Sequence, residues 1–288
     1  MTTLGNLTPQ IGDIFALNNK QYRVYPTAYS LRLRRVGAGR HTMGKYHAMP
    51  FHTLRGKQIV IIGGTSGLGL ATARMALEAG AHVYLGGRSP ARLMAALATL
   101  GRGARGETID VASEASVNAF FAPLDGIDHV AITAAQIAPA PLLHGDMAAL
   151  RVNMASRFWG AVYALRAAVP KMAAEGSLVL TSGMITRRPS PGKSIAAAAA
   201  SAVETLAHSL VGELAPRRIN VISPGPMDTP LLAQATGGDP EALRAIAARL
   251  PLRRLGQPES YARSALFAMA NPDLNGEVLH LDGGAAWG

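Results

Sequence analysis

The stretch Lys57-Gln58-Ile59-Val60-Ile61-Ile62-Gly63-Gly64-Thr65-Ser66-Gly67-Leu68-Gly69 decides how the rest of the chain is read. Its first six residues form a short, largely β-branched apolar run, which suits a strand covered on both faces in a parallel sheet. The run stops at glycines, and residues 68–80 then read as a helix closed by Gly80. Glycines in such a turn tolerate unusual φ/ψ values and let backbone amides approach a pyrophosphate, while the helix N-terminus behind them adds partial positive charge. Taken alone, the same glycines also fit a tight turn with no ligand.

Working outward, the alternation continues. Strands are expected at 82–85, 107–110, 129–133, 177–181, 219–223 and 278–281, with helices between them, notably 147–172, 195–214 and 258–269. Strands alternating with helices imply right-handed βαβ units, and therefore an α/β fold: one doubly wound, Rossmann-type parallel sheet in a single domain over residues 55–288. No internal repeat is found, and the alanine run 196–200 sits within a helical pattern that alanine favours.

Residues 1–54 have a different character. The first 50 residues hold seven of the 28 Lys/Arg (Lys20, Arg23, Arg32, Arg34, Arg35, Arg40, Lys45) and only one acid, Asp13. They lack a clear period and an apolar h-region, so they are expected to be a poorly ordered basic extension rather than a secretory signal. Translation starting near Met43 or Met49, or a partner-binding arm, are the other readings. The other 238 residues carry 21 bases and 17 acids, a mild excess that suits an anionic cofactor and does not call for nucleic acid. With no cysteine, a disulfide framework, a thiolate nucleophile and a cysteine metal site are all excluded, which is compatible with a cytoplasmic location. No metal is expected. No uninterrupted apolar run approaches eighteen residues, so a membrane span is not expected either.

The spacing Gly63-x-x-x-Gly67-x-Gly69 resembles that of the short-chain dehydrogenase/reductase family, except that Ile62 stands where the family usually has threonine. The resemblance extends over residues 55–288 through further motifs in the same order. Gly86-Gly87-Arg88-Ser89 ends the second strand; an arginine there matches a 2′-phosphate, so the cofactor implied is NADP(H). The other reading of Arg88 is a solvated side chain at a helix start. Asp110-Val111 resembles the pair that borders the adenine, although Asp110 alone would equally cap the next helix. Ile132-Thr133-Ala134-Ala135 stands where the family shows Asn-Asn-Ala-Gly. Residues 223–230, with Pro224, Gly225, Met227 and Thr229, resemble the Pro-Gly motif beside the nicotinamide, and residues 275–284 resemble the last strand and its Asp-Gly-Gly turn. The resemblance thus implies a cofactor site made of Gly63, Thr65, Ser66, Gly67, Leu68, Gly69, Arg88, Ser89, Asp110, Val111, Ala134, Ala135, Pro224, Gly225, Met227 and Thr229.

Members of this family normally use Asn, Ser, Tyr and Lys, the lysine lowering the pKa of the tyrosine that exchanges a proton with substrate. Asn153 and Ser182 fall where the first two are expected and are the catalytic candidates. Aligning on Ala202-Val203-Glu204-Thr205-Leu206 puts Ala196 at the tyrosine and Ala200 at the lysine, and residues 194–204 contain neither Tyr nor Lys. Lys193 lies nearly a turn too early, and Tyr163 and Tyr261 belong to other helices. Three readings follow: hydride transfer with Ser182, water or His144 supplying the proton, or with an iminium substrate that needs none; non-redox chemistry with a structural nucleotide; or a regulatory module that binds NADPH. Substrate contacts are expected from Gln136, His144, Met184 and Leu231. The apolar segments 137–143 and 227–250 point to a hydrophobic small molecule, and family resemblance implies a homo-oligomer.

Overall fold

The computed structural model describes residues 14–17, 20–26, 31–35, 51–136, 138 and 140–288. The chain forms two compact units, Met1–His47 and Ala48–Gly288. In the first, β1 (Ile14–Leu17), β2 (Lys20–Pro26) and β3 (Leu31–Arg35) make an antiparallel meander, pairing Phe15 with Tyr22 and Val24 with Leu33. A poorly ordered basic extension was the expectation over residues 1–54, and these three segments within it are strands. Strand formers recur at alternate positions (Tyr22 and Val24, Leu31 and Leu33), and the intervening arginines mask that period in a reading by composition. The rest of residues 1–50 lies outside the described residues.

The second unit begins earlier than residue 55. Leu54, in the single turn His52–Leu54, is 1% exposed and belongs to the core. There follow β4 (Gln58–Ile62), α1 (Gly67–Glu78), β5 (His82–Gly87), α2 (Pro90–Leu100), β6 (Ala104–Thr108), α3 (Glu114–Phe121), β7 (Ile127–Ile132), α4 (Met147–Asn153) and α5 (Gly160–Ala168). The chain continues through β8 (Met172–Thr181), α6 (Ser194–Leu214), β9 (Arg218–Pro224), α7 (Pro230–Ala235), α8 (Pro240–Arg249), α9 (Pro258–Ala270) and β10 (Val278–Leu281). The seven strands are all parallel, in the order β10-β9-β8-β7-β4-β5-β6. This is the Rossmann-type α/β sheet expected from the sequence.

The unbroken apolar run of β4 has a direct explanation in this sheet. Val60 and Ile62 join one core cluster with Val130, Leu178 and Val221, while Ile59 and Ile61 join another with Leu85, Val179 and Ile222. Both faces are covered, so alternate residues are both apolar. The strand order reverses between β4 and β7, and the crevice at the carboxyl ends of these strands is where such sheets receive ligands.

Two sequence expectations are corrected. The helix expected over 147–172 is interrupted by a π-helical segment, Met154–Trp159, and the strand β8 already starts at Met172. The Ser156 hydroxyl donates to Val152 O (2.8 Å) and the Asn153 amide to Ala149 O (3.2 Å), local bonds that compete with regular helical pairing. The strand expected at 107–110 is β6, three residues earlier. Asp110 instead accepts from Ala112 N (3.0 Å) in a turn. Helix α6 is long and apolar enough to cross a membrane, yet it packs along β9, with Ala196, Ala199, Ala200, Val203 and Ala207 buried.

Candidate active site

The turn between β4 and α1 needs glycine for two separate reasons. Gly63 (φ +90°) and Gly67 (φ +49°) adopt left-handed backbone. At Gly69 the obstacle is space: a Cβ there would sit 2.3 Å from Gly63 O. Ser66 occupies the N-cap of α1, but its side chain makes no capping bond, and the first turn carries no acid. The amides at this helix start therefore remain available to an anion.

This turn forms one wall of a cleft of about 830 Å³. Of the residues expected at the cofactor, Gly63, Thr65, Ser66, Gly67, Leu68, Gly69, Arg88, Ser89, Asp110, Val111, Ala134, Ala135 and Thr229 all line it. Gln136 and Leu231, expected at the substrate, line it too, as do Arg92, Ser156 and Gln234, which the sequence reading missed. Pro224, Gly225 and Met227 are not among the lining residues. Met227 is buried and bridges to Gly256, and a Cβ on Gly225 would lie 2.8 Å from Asp282 Cα, so this segment supports the cleft from behind. Ile132 is a core residue, and Thr133 to Gln136 face the cleft, the Thr133 hydroxyl donating to Ile62 O (3.1 Å).

Arg88, at the end of β5, is exposed, and among the described residues no carboxylate lies within 4.0 Å of it. With the Gln136 amide turned so that its oxygen faces the guanidinium, Gln136 accepts from Arg88 Nη1 and, at 2.9 Å, from Nη2. Ser89 caps α2, accepting from Arg92 N (3.3 Å).

At the ends of β8 and α4 a second set of side chains gathers. Asn153 is buried and fully engaged: its oxygen accepts from Ala138 N (3.3 Å), and its amide donates to Ala138 O (2.9 Å) as well as Ala149 O. It ties down the segment after β7 rather than presenting its amide to the cleft. Ser182 is 2% exposed, and its hydroxyl donates to Glu204 Oε1 of α6 (2.6 Å). Thr186 donates to the same oxygen (3.2 Å). Arg157 donates through Nη1 to Ser182 O (2.6 Å) and Thr181 O (3.4 Å). Burial pulls its guanidinium down to about 10, against an opposing influence from Tyr261. Beneath it, Thr181 Oγ1 donates to Ile132 O (2.8 Å), and the fully buried Tyr261 hydroxyl lies 2.6 Å from Thr181 Oγ1. Of the other candidates, Met184 is half-buried on the turn after Ser182, while His144 is exposed in the loop before α4, with no hydrogen bond to this cluster.

The profile of the family described as Enoyl-(Acyl carrier protein) reductase matches residues 63–286. The short-chain dehydrogenase/reductase malC of Malbranchea aurantiaca is 32% identical over 251 residues, covering 80% of this chain and 95% of that protein. The chain belongs to the short-chain dehydrogenase/reductase family. The solved structure of the MalC reductase/Diels-Alderase superposes with a TM-score of 0.76 at 30% identity, covering 82% of this chain and 99% of that one. An NADPH-bound short chain oxidoreductase of Pseudomonas aeruginosa PAO1, described as containing an atypical catalytic center, gives 0.73 at 27% identity over 79% of this chain and 96% of its own.

A short-chain dehydrogenase/reductase binds a nicotinamide cofactor, and the residues here fit one. The glycine cradle leaves no room for a Cβ, the amides of α1 are uncapped, and the cleft is long enough to run from Arg88 to Thr229. Ala196 (6% exposed) and Ala200 (0%) lie one turn apart on the buried side of α6, and Glu204 follows one turn later. Glu204 and Arg157 carried no sequence signal. A glutamate in an alanine-rich helix reads as a solvated residue, and only the tertiary approach of α6 to β8 gives it a partner.

Proposed function

We propose that this chain is an NADP(H)-dependent reductase that delivers hydride to a hydrophobic small molecule, an iminium or activated carbonyl in preference to a simple ketone. The observation that carries the reading is the buried face of α6, with Ala196 and Ala200 one turn apart where the resemblance puts the Tyr and Lys of this family. Alanine holds no proton and tunes no neighbour. When bound, the cofactor supplies a hydride equivalent at the nicotinamide ring. The chain's own residues bind and orient: the α1 amides hold the pyrophosphate, Arg88 holds the 2′-phosphate, and Thr133 to Gln136 line the path between β4 and β7. A ketone accepting hydride develops alkoxide charge and needs a general acid, whose loss typically costs about 10²–10⁴-fold. An iminium carbon accepts hydride while its C=N π pair moves to nitrogen, so no proton has to be supplied.

Half-exposed Leu231 in the cleft, and exposed Leu142 and Leu143 on the loop before α4, support an apolar substrate. The P. aeruginosa neighbour, NADPH-bound and described as containing an atypical catalytic center, supports the choice of cofactor and a non-standard catalytic site. A second reading, non-redox ring formation in the same pocket, draws on the double description of the MalC neighbour as reductase and Diels-Alderase. A cytoplasmic homo-oligomer completes the proposal. The test is to incubate the protein with [4-²H]NADPH and a cyclic imine, with a ketone of the same skeleton as control. Deuterium should be found at the former imine carbon, with much slower labelling of the ketone. No label in either product would overturn the reading.

A further inference from the structure

Strand spacing sets which side chains can meet over the cleft. Ile62, the last residue of β4, is level with Gly86 of β5 on one side and with Ile132 of β7 on the other. Neighbouring strands lie about 4.8 Å apart, so the tips of β5 and β7 stand roughly 10 Å apart, with the glycine turn of residues 63–69 rising between them. Arg88 leaves the first tip and Gln136 the second, and both line the cleft. Their hydrogen bonds, from Arg88 Nη1 and Nη2 to the Gln136 oxygen, therefore run across the groove beside that turn. The two ends are mounted differently. The Gln136 backbone is pinned, its N–H donating to Ser156 Oγ (3.0 Å), while Asn153 holds Ala138 two residues further on. Arg88 is exposed and has no carboxylate partner among the described residues, so its guanidinium can swing away with little else disturbed.

We propose that Gln136 is a positioning residue for Arg88: it holds the guanidinium across the groove as a latch, which a dinucleotide has to part in order to reach the glycine turn. This rests on the reading of the cleft as an NADP(H) site. Gln136 and a 2′-phosphate compete for the same η nitrogens, because the fork of a guanidinium serves one acceptor group at a time. A ligand with a 2′-phosphate offers Arg88 a charged acceptor in place of the neutral amide. NADH parts the same pair and offers no acceptor in return. The latch thus weakens both dinucleotides alike, and only NADPH recovers the loss through Arg88.

A double-mutant cycle separates a latch from a merely structural role of Gln136, since only a latch needs Arg88 as its partner. Gln136→Met keeps the length of the side chain without the amide, and Gln136→Ala removes it altogether, which keeps the test decisive if one variant folds poorly. NADPH and NADH are each titrated calorimetrically into the full chain. Both variants should bind both dinucleotides about threefold more tightly than the wild type, the scale of one hydrogen bond at an exposed site. In an Arg88→Ala background the same substitutions should change neither affinity, because the latch is already gone. Arg88→Ala by itself should tighten NADH by the same threefold, a small change beside the loss of the phosphate contact. Unchanged affinities in both Gln136 variants, an equal gain with and without Arg88, or no binding of either dinucleotide would overturn the proposal. The two levels fail separately. Matching NADPH and NADH affinities in the wild type, with the cycle intact, would sink the choice of NADP(H) alone. A wild-type preference for NADPH without coupling between positions 88 and 136 would sink only the latch.

Discussion

Gly63 and Gly69 approach so closely that a Cβ on Gly69 would lie 2.3 Å from the Gly63 carbonyl oxygen and 2.7 Å from Thr133 Oγ1. Both obstacles belong to the walls of the cleft, one being rigid backbone and the other a hydroxyl already bonded to Ile62 O. Gly69→Ala must therefore push the turn and the β7 end apart. Overpacking of this kind costs about 1–3 kcal/mol. The expected outcome is a lower melting temperature together with loss of NADPH binding in a fluorescence titration. A variant that binds NADPH as well as the wild type would show that the cofactor does not use this turn.

Arg88 has no carboxylate partner among the described residues and meets only the Gln136 amide across the cleft. If it reads the 2′-phosphate, Arg88→Ala removes one charge-assisted contact, worth about 1.5–3 kcal/mol or roughly ten- to a hundredfold in affinity. NADPH should weaken by that factor while NADH changes little. Gln136→Ala, which frees the guanidinium, should not weaken NADPH. Calorimetric titration of both dinucleotides decides it, and an equal loss for both would remove Arg88 from the phosphate site.

The sheet and the glycine-turn wall of the cleft were legible because their causes are local. An apolar run covered on both faces, glycines where a Cβ collides, and a cation at a strand tip all leave marks in neighbouring residues. The substrate end was much less so. Asn153 reads as a catalytic candidate by position, but its amide is consumed by Ala138 and Ala149, which only the folded loop reveals. Ser182 was found, yet its partner Glu204 lies 22 residues away on another element. The meander of β1 to β3 escaped for another reason, since arginines at alternate positions weigh on composition more than they disturb a two-residue period.

Thr181 has one hydroxyl hydrogen, and it goes to Ile132 O, so at 2.6 Å the Tyr261 hydroxyl must be the donor to Thr181. Tyr261→Phe leaves one buried lone pair without a partner and should destabilise by about 1 kcal/mol. Burial also pushes the Tyr261 phenol above its ordinary range. The unfolded chain therefore loses this proton first as pH rises past 10, and folded stability declines there. Melting temperatures of Tyr261→Phe should decline less steeply above pH 10 than those of the wild type. Parallel curves would show that Tyr261 ionises as freely when folded.

His129 behaves in the opposite sense at the acid end. It is buried in β7 with Nδ1 2.9 Å from Ser177 Oγ, and burial lowers its pKa from 6.5 to about 4. Asp128 opposes this shift, while Arg218 and Lys57 reinforce it. Between about 6.5 and 4 the unfolded chain binds a proton that the folded chain refuses, so stability is lost as pH falls through that window. A depression of this size corresponds to about 3 kcal/mol at the acid end. His129→Asn keeps a polar partner for Ser177 but cannot take up the proton. It should start below the wild type in stability at pH 7 and lose less on acidification, so that the two denaturation midpoints converge toward pH 4. The measurement is urea unfolding at half-unit steps from pH 7 to pH 4. A constant gap between the two proteins across that range would mean that His129 is protonated as readily in the folded chain as in the unfolded one.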